Sequence, residues 1–212
     1  MYVKDNMTRN PYTIGLNQSV SEALDIMSAC KVHRLPVVDQ KGKLIGIVTQ
    51  GIIASNTPNN SSSLSVFELN YLLNKLQIKD IMIKDPYSIG PDALLEEAAT
   101  IMRKNDVGCL SVVDDENNLL GIITHNDIFE AFINLLGYNH NGIRYVIKVD
   151  EDKPGIMEGV CRICKENDTS ISNLAVYNTD RGIEVVVITF GDTDLSEKLT
   201  AAGYNVTSCQ KK

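Results

Sequence analysis

The chain has no tryptophan, three histidines and five cysteines in 212 residues, and each shortage removes a class of function. His33, His125 and His140 are scattered, so their spacing describes no metal or acid–base cluster. Cysteines stand at 30, 109, 161, 164 and 209; an odd number without a secretion signal argues against a disulfide framework. Long apolar runs are missing as well. The stretch around Val185–Ile188 falls far short of the roughly 20 residues a membrane-spanning helix needs. Positive charge is scarce, with 20 Lys and Arg against 27 Asp and Glu, and a net charge of −7 lacks the basic footprint of nucleic-acid binding. No apolar leader core follows Met1-Tyr2-Val3-Lys4-Asp5, so a cytoplasmic location is expected. Neither a phosphate loop nor a convincing nucleophile–base set stands in the chain, and an enzyme is not expected.

What the chain does have is a repeat. Residues 3–53 laid without a gap on residues 78–128 are identical at 21 of 51 positions, an offset of 75. The pairs include Lys4/Lys79, Asp5/Asp80, Met7/Met82, Pro11/Pro86, Val37-Val38-Asp39/Val112-Val113-Asp114 and Gly46-Ile47-x-Thr49/Gly121-Ile122-x-Thr124. Two copies of one small unit imply a pseudo-twofold pair with clefts between its halves, where small ligands commonly sit.

Each copy reads as a short extended piece, a helix, two strands and a helix, or β-α-β-β-α. Ser19-Val-Ser-Glu22 is a capping box, followed by Val20, Ala23, Leu24 and Met27 at helical spacing. Leu35–Val38 and Leu44–Val48 flank a turn at Gln40–Lys43. Polar residues 56–63 separate the copies, and Ser65-Val-Phe-Glu68 caps an amphipathic segment carrying Val66, Leu69, Leu72, Leu73 and Leu76. Past Leu136–Gly142 the pattern changes to strand, helix, two strands, helix and strand, a ferredoxin-like βαββαβ plan. The expected division is therefore 1–60 and 78–137 for the two repeats, 61–77 for a linker helix, and 143–210 for the last domain. The fold class is α/β (α+β).

Tandem motifs recurring at one offset resemble a pair of CBS motifs, the regulatory modules named after cystathionine β-synthase. The tail, with a strand, Asp152-Lys-Pro-Gly155 and a helix in βαββαβ order, resembles an ACT domain. Together they cover about 3–135 and 143–210, and the order is similar to that of the acetoin-utilisation (AcuB) group of CBS–ACT proteins.

That resemblance implies an adenosine-containing ligand between the motifs, held by the family's ribose-binding signature Gly-h-x-Thr/Ser-x-x-Asp, where h is hydrophobic. A carboxylate accepting two hydroxyl hydrogen bonds grips a ribose, each bond worth roughly 1.5–3 kcal/mol. The second copy keeps the signature, as Gly121-Ile122-Ile123-Thr124-His-Asn-Asp127. The first has Gly46-Ile-Val-Thr49-Gln-Gly-Ile52, and Ile52 accepts nothing. Ahead of the next strand the first copy reads Val32-His33-Arg34-Leu35-Pro36, the second Val107-Gly108-Cys109-Leu110-Ser111. Family members place basic residues at these positions against phosphate, and Arg can grip phosphate bidentately. The resemblance thus implies one competent site for AMP, ADP, ATP or a related adenosine compound. Its residues would be Val32, His33, Arg34, Pro36, Ile122, Ile123, Thr124 and Asp127, with Thr13 and Ile14 walling the adenine. The other cleft, with Ile52, Gly108 and Cys109, would be degenerate.

Plainer readings stand beside these. Thr124-x-x-Asp127 is also a helix cap, and His33 and Arg34 also suit a surface. Cys161-Arg-Ile-Cys164 reads as small helix residues or as thiol-redox or metal chemistry. In the ACT-like part, Asp150, Asp152, Pro154, Gly155, Ile156 and Met157 would form an amino-acid site or a dimer interface. Pro154-Gly155 is equally a good helix start. The expected protein is a non-catalytic sensor, homodimeric, acting on a regulated protein the sequence does not name. The alternatives are a dimerisation module with empty clefts or a thiol-redox protein.

Overall fold

Each repeat begins with a helical turn and a two-residue strand that leave their own repeat and pack on the other. This is seen in the computed structural model, which describes residues 1–57, 65–149, 154–180 and 182–211. The described chain forms two units, Met1–Ile128 and Phe129–Lys212.

In the first unit the first repeat comprises α1 (Val3–Asn6), β1 (Thr8–Arg9), β2 (Ile14–Gly15), α2 (Val20–Cys30), β3 (Arg34–Val38), β4 (Leu44–Thr49) and α3 (Gln50–Asn56). The connecting helix α4 spans Val66–Lys75. The second repeat follows with α5 (Ile78–Ile81), β5 (Ile83–Lys84), β6 (Ser88–Ile89), α6 (Leu95–Asn105), β7 (Cys109–Val113), β8 (Leu119–Thr124) and the first turn of α7 (His125–Leu135), the helix within which the first unit ends at Ile128. The Ser19 capping box closes as read from the sequence. The Glu22 N–H donates to Ser19 Oγ at 3.2 Å, and the Ser19 N–H donates to Glu22 Oε2 at 2.7 Å. Ser65 and Glu68 cap α4 in the same way.

The sheets run β2-β3-β4-β5 and β1-β8-β7-β6, so each has one edge strand from the opposite repeat. Ile83 lies opposite Ile47 and Thr8 opposite Ile122, the same register seen twice. The preceding turns are exchanged too. Ile78 N donates to Gln18 O at 2.9 Å, and Val3 N donates to Ala93 O at 2.9 Å. Ile78 and Ile81 bury in the first repeat's core with Ile14, Val20, Met27, Leu35, Val37 and Val48.

A glycine makes each exchange sterically feasible. A Cβ on Gly46 would meet Met82 Sδ at 2.6 Å and the Ile83 carbonyl oxygen at 2.9 Å. On Gly121 it would meet Met7 Sδ at 2.6 Å and the Thr8 carbonyl oxygen at 2.9 Å. This is the physical content of the repeated Gly-Ile-x-Thr. The pseudo-twofold axis passes beside Lys43 and Asn118, which pair with each other and are equivalent at the 75-residue offset. The repeated Val-Val-Asp has a local explanation. Asp39 Oδ1 accepts the N–H groups of Lys41 and Lys43, and Asp114 Oδ1 those of Glu116 and Asn118, closing the turn after each strand.

The second unit contains β9 (Ile143–Val149), α8 (Ile156–Glu166), β10 (Ile171–Thr179), β11 (Gly182–Thr189), α9 (Ser196–Ala201) and β12 (Asn205–Lys211). Its antiparallel sheet runs β10-β11-β9-β12, the ferredoxin-like order. Alternate residues Ile143, Tyr145, Ile147 and Val149 of β9 are buried against Val160 and Cys164 of α8 and Leu199 of α9. The Tyr145 hydroxyl accepts the Leu195 N–H at 2.8 Å, which satisfies the polar end of a fully buried ring. Cys161 is exposed on α8 and Cys164 buried, and burial pushes the Cys164 thiol up.

Gly46→Ala and Gly121→Ala are each expected to cost about 1–3 kcal/mol, because the exchanged edge strand must move away. Gly90→Ala, where an added Cβ meets nothing within 4 Å, serves as the neutral control in urea melts. The Asp39 and Asp114 carboxyls provide a second expectation. The Lys43 backbone N–H lowers the first, and the Asn118 side chain followed by its backbone N–H lowers the second, from an ordinary value of 3.8. A folded-state value below the unfolded one stabilises at neutral pH, and that stabilisation is lost as pH falls below 3.8 through the folded values. Asp39→Asn and Asp114→Asn should therefore flatten part of the acid limb of a melting temperature–pH profile.

Candidate functional site

Arg34 opens β3, and its side chain reaches into the second repeat, where Nη1 donates to the Gly108 carbonyl at 2.6 Å. The equivalent residue of the second repeat is Cys109, so no guanidinium returns from that position. Gly108 stands where the first repeat has His33. A Cβ there would lie 3.3 Å from Arg34 Nη1 and 3.8 Å from His125 Nδ1, so the glycine leaves space at this crossing. His33 is exposed, with Nδ1 at 3.0 Å from Gln50 Oε1. Val32, His33, Arg34 and Thr124 are brought together around a cleft of about 280 Å³, which Gly108, His125 and Asn126 complete.

Asp127 lies in the first turn of α7. Its Oδ2 accepts from Thr124 N at 2.7 Å and from Thr124 Oγ1 at 2.8 Å, while the Asp127 N–H donates to Thr124 Oγ1 at 3.4 Å. Thr124 and Asp127 do form the helix cap. Among the described residues Oδ1 accepts no hydrogen bond, so one oxygen of the half-buried carboxylate remains for another donor. The first repeat shows what the fold itself requires. There the Ile52 N–H donates to Thr49 Oγ1 at 3.2 Å, and α3 starts without any carboxylate at its third position.

The other expected residues are placed elsewhere. Thr13 and Ile14 line a separate depression with Gln18, Asp39 and Lys41, and Ile14 is buried. The register of β2 on β3 explains this: Ile14 pairs with Val37, three residues along the strand from Arg34, or about 10 Å. Pro36, Ile122 and Ile123 are buried strand residues. The lead-in residues that do flank a cleft are Asp85, Pro86 and Tyr87, which with Ile47, Ile52, Ile83, Val107 and Cys109 line a cavity of about 500 Å³ on the far side of Arg34. Their equivalents at the 75-residue offset are Asn10, Pro11 and Tyr12, and the Pro-Tyr pair common to both copies was the available sequence signal. His125 was missed because its counterpart in the first copy is Gln50.

In the second unit, Asp150 and Asp152 lie outside the described residues. Gly155 has φ 94° and caps α8, and the exposed Pro154 precedes it. Ile156 and Met157 line a cavity of about 500 Å³ with Val149, Val176 and Ile183. Among the described residues no group of three or more His, Cys, Asp or Glu could hold a metal ion. No described helix is long and apolar enough to cross a membrane.

Comparison with known families matches the CBS domain to residues 3–56 and 78–134. The chain belongs to the CBS domain family. Among solved structures, its CBS pair is similar to a putative acetoin utilization protein (AcuB) from Vibrio cholerae, at 33% identity and TM-score 0.54, covering 66% of this chain and 95% of that one. It is also similar to a CBS domain pair solved in complex with 5′-methylthioadenosine and S-adenosyl-L-methionine, at 30% identity and TM-score 0.53, covering 63% and 97%. A CBS domain-containing protein of Dictyostelium discoideum is 34% identical over 140 residues, covering 63% of this chain and 92% of that protein. By contrast, the match to homoserine O-acetyltransferase of Methanocorpusculum labreanum covers 23% of that enzyme.

Because the first repeat starts α3 with a lone threonine, Asp127→Ala should destabilise by no more than about 1 kcal/mol, the ordinary cost of a weakened cap. Asp127→Asn keeps an oxygen acceptor for Thr124 and should cost less, as urea denaturation would show.

Proposed function

We propose that this chain is a non-catalytic regulatory protein that holds an adenine nucleotide, AMP, ADP, ATP or a related adenosine compound, in the cleft on the Thr124 side of Arg34. The observation that carries the reading is the gathering of His33, Arg34, Gly108, Thr124 and His125 around one cleft, with Asp127 next along the first turn of α7, three residues past Thr124. Asp127 supplies a carboxylate for ribose hydroxyls. Arg34 spends one guanidinium hydrogen on Gly108 and has further N–H groups for phosphate, and α7 presents the positive end of its dipole to the same cleft. CBS pairs crystallised with adenosine compounds support the ligand class.

The C-terminal ferredoxin-like domain, read as ACT-like, serves dimerisation or amino-acid sensing at Gly155, Ile156 and Met157. Likeness to the Vibrio cholerae protein supports a connection with acetoin utilisation. Regulation requires that the nucleotide bind two arrangements of the protein unequally, since a ligand of equal affinity for both shifts nothing.

Calorimetric titration of the full chain with AMP, ADP, ATP, NAD and S-adenosylmethionine tests the reading. One nucleotide is expected to bind once per chain, with binding lost in both Asp127→Asn and Asp127→Ala. Arg34→Ala should weaken phosphate-bearing ligands by about 10–100-fold, the loss of a charged hydrogen-bonding pair, and adenosine hardly at all. If none of the five binds, Thr124 and Asp127 are a cap alone and the chain is a dimerisation module.

A further inference from the structure

The two cavities flanking Arg34 have His33, Arg34 and Gly108 in common. The repeat generates two pseudo-equivalent clefts, but the basic pair occurs in one copy and its equivalents are Gly108 and Cys109. One guanidinium therefore stands between two places for a ligand. It is held there by the Gly108 carbonyl at 2.6 Å, and its planar fork can face one phosphate at a time. The Ile52 side differs further in chemistry. Ile47, Ile52, Ile83, Pro86 and Tyr87 make its wall largely apolar, and the one carboxylate lining it, Asp85, repels an anion. At about 500 Å³ the cavity is within the size range of small-molecule sites.

We propose that Arg34 couples the two clefts, so that the chain holds one anionic nucleotide at a time, on the Thr124 side. The Ile52-side cleft then takes an uncharged, apolar ligand of nucleoside size. This rests on the nucleotide reading above and adds a rule of occupancy to it. A phosphate monoester carries close to two negative charges, and a second one in the neighbouring cleft would find the guanidinium engaged and face both the first phosphate and Asp85. Coupling of this kind is reciprocal, so each anion weakens the other by the same factor. A neutral ligand makes no claim on Arg34 and escapes the penalty.

The test uses the full chain, with AMP as the anionic probe and 5′-methylthioadenosine as the uncharged one, in calorimetric titrations. AMP should saturate at one per chain, with any second equivalent bound at least about 10-fold more weakly. 5′-Methylthioadenosine should bind the AMP-saturated chain with an affinity within about threefold of that for Asp127→Asn, in which only the Ile52-side cleft remains, a tolerance small against the coupling expected between anions. Cys109→Arg combined with Ile52→Asp supplies the missing second cation and the missing ribose acceptor, and should raise AMP stoichiometry to two. A melting curve establishes that this variant is folded, and the wild-type titrations decide the matter whether or not it is. Two AMP molecules bound with comparable affinity by the wild-type chain, or exclusion of 5′-methylthioadenosine by AMP, would overturn the coupling while leaving the nucleotide site intact. Failure of AMP and every other adenosine compound to bind would instead overturn the nucleotide reading and the coupling with it.

Discussion

The reciprocal exchange of the lead-in segments is the constraint on which the first unit depends. Neither repeat closes its sheet or its core alone: β5 completes the sheet of β2, β3 and β4, and Ile78 and Ile81 fill the core beneath it. Removing the lead-in from one repeat would therefore expose the other. The exchange also builds the cleft walls. Docking β5 beside β4 carries Asp85, Pro86 and Tyr87 to the edge of a cavity whose opposite wall comes from the first repeat. Gly46 and Gly121 make this approach possible, because any side chain at either would occupy the space of a methionine sulfur and a strand carbonyl.

On this symmetric frame the chemistry is asymmetric. Backbone register repeats pair by pair, and so do the aspartates that close each strand turn. Side chains at and beside the clefts do not: His33, Arg34, Gln50 and Ile52 answer to Gly108, Cys109, His125 and Asp127. Folding accounts for the shared residues, and of these four pairs it gives a local use to Asp127 alone, in the cap of α7. A sequence under packing constraint alone has no reason to set a guanidinium against a glycine carbonyl across the axis. Places where local rules are broken without a folding benefit are where function is concentrated.

Much of this was legible in the chain. The 75-residue offset announced two copies, Ser19 and Glu22 announced a capped helix, and the alternation of Ile143, Tyr145, Ile147 and Val149 announced a strand with one buried face. The exchange was not legible. Val3 and Ile78 are buried, but an apolar residue at the same place in each copy looks the same in sequence whether it packs at home or across the axis. Thr13 and Ile14 directly follow Pro11 and Tyr12, yet parallel pairing carries Ile14 to Val37, while Pro11 and Tyr12 correspond to residues that do line a cleft. His125 escaped notice because nothing in the sequence places a residue of one helix start beside a backbone carbonyl of another strand.

On the proposed reading, Asp127 is the residue at which folding and ligand binding compete for the same atoms. Its Oδ2 is committed to Thr124 through two short bonds, so a ribose cannot claim both carboxylate oxygens without loosening the start of α7. The comparison with Thr49 indicates how much that loosening costs: α3 begins on a hydroxyl alone, so giving up the acid's part of the cap forfeits a fraction of a cap's roughly 1 kcal/mol. A charge-assisted bond to a ribose hydroxyl is worth about 1.5–3 kcal/mol, which exceeds that cost. Ligand and cap thus need not exclude each other. The ligand can take the free oxygen outright, or displace one cap bond and still gain. In either case the proposed site ties the first turn of α7 to whether the cleft is filled, which is the minimum a sensor needs.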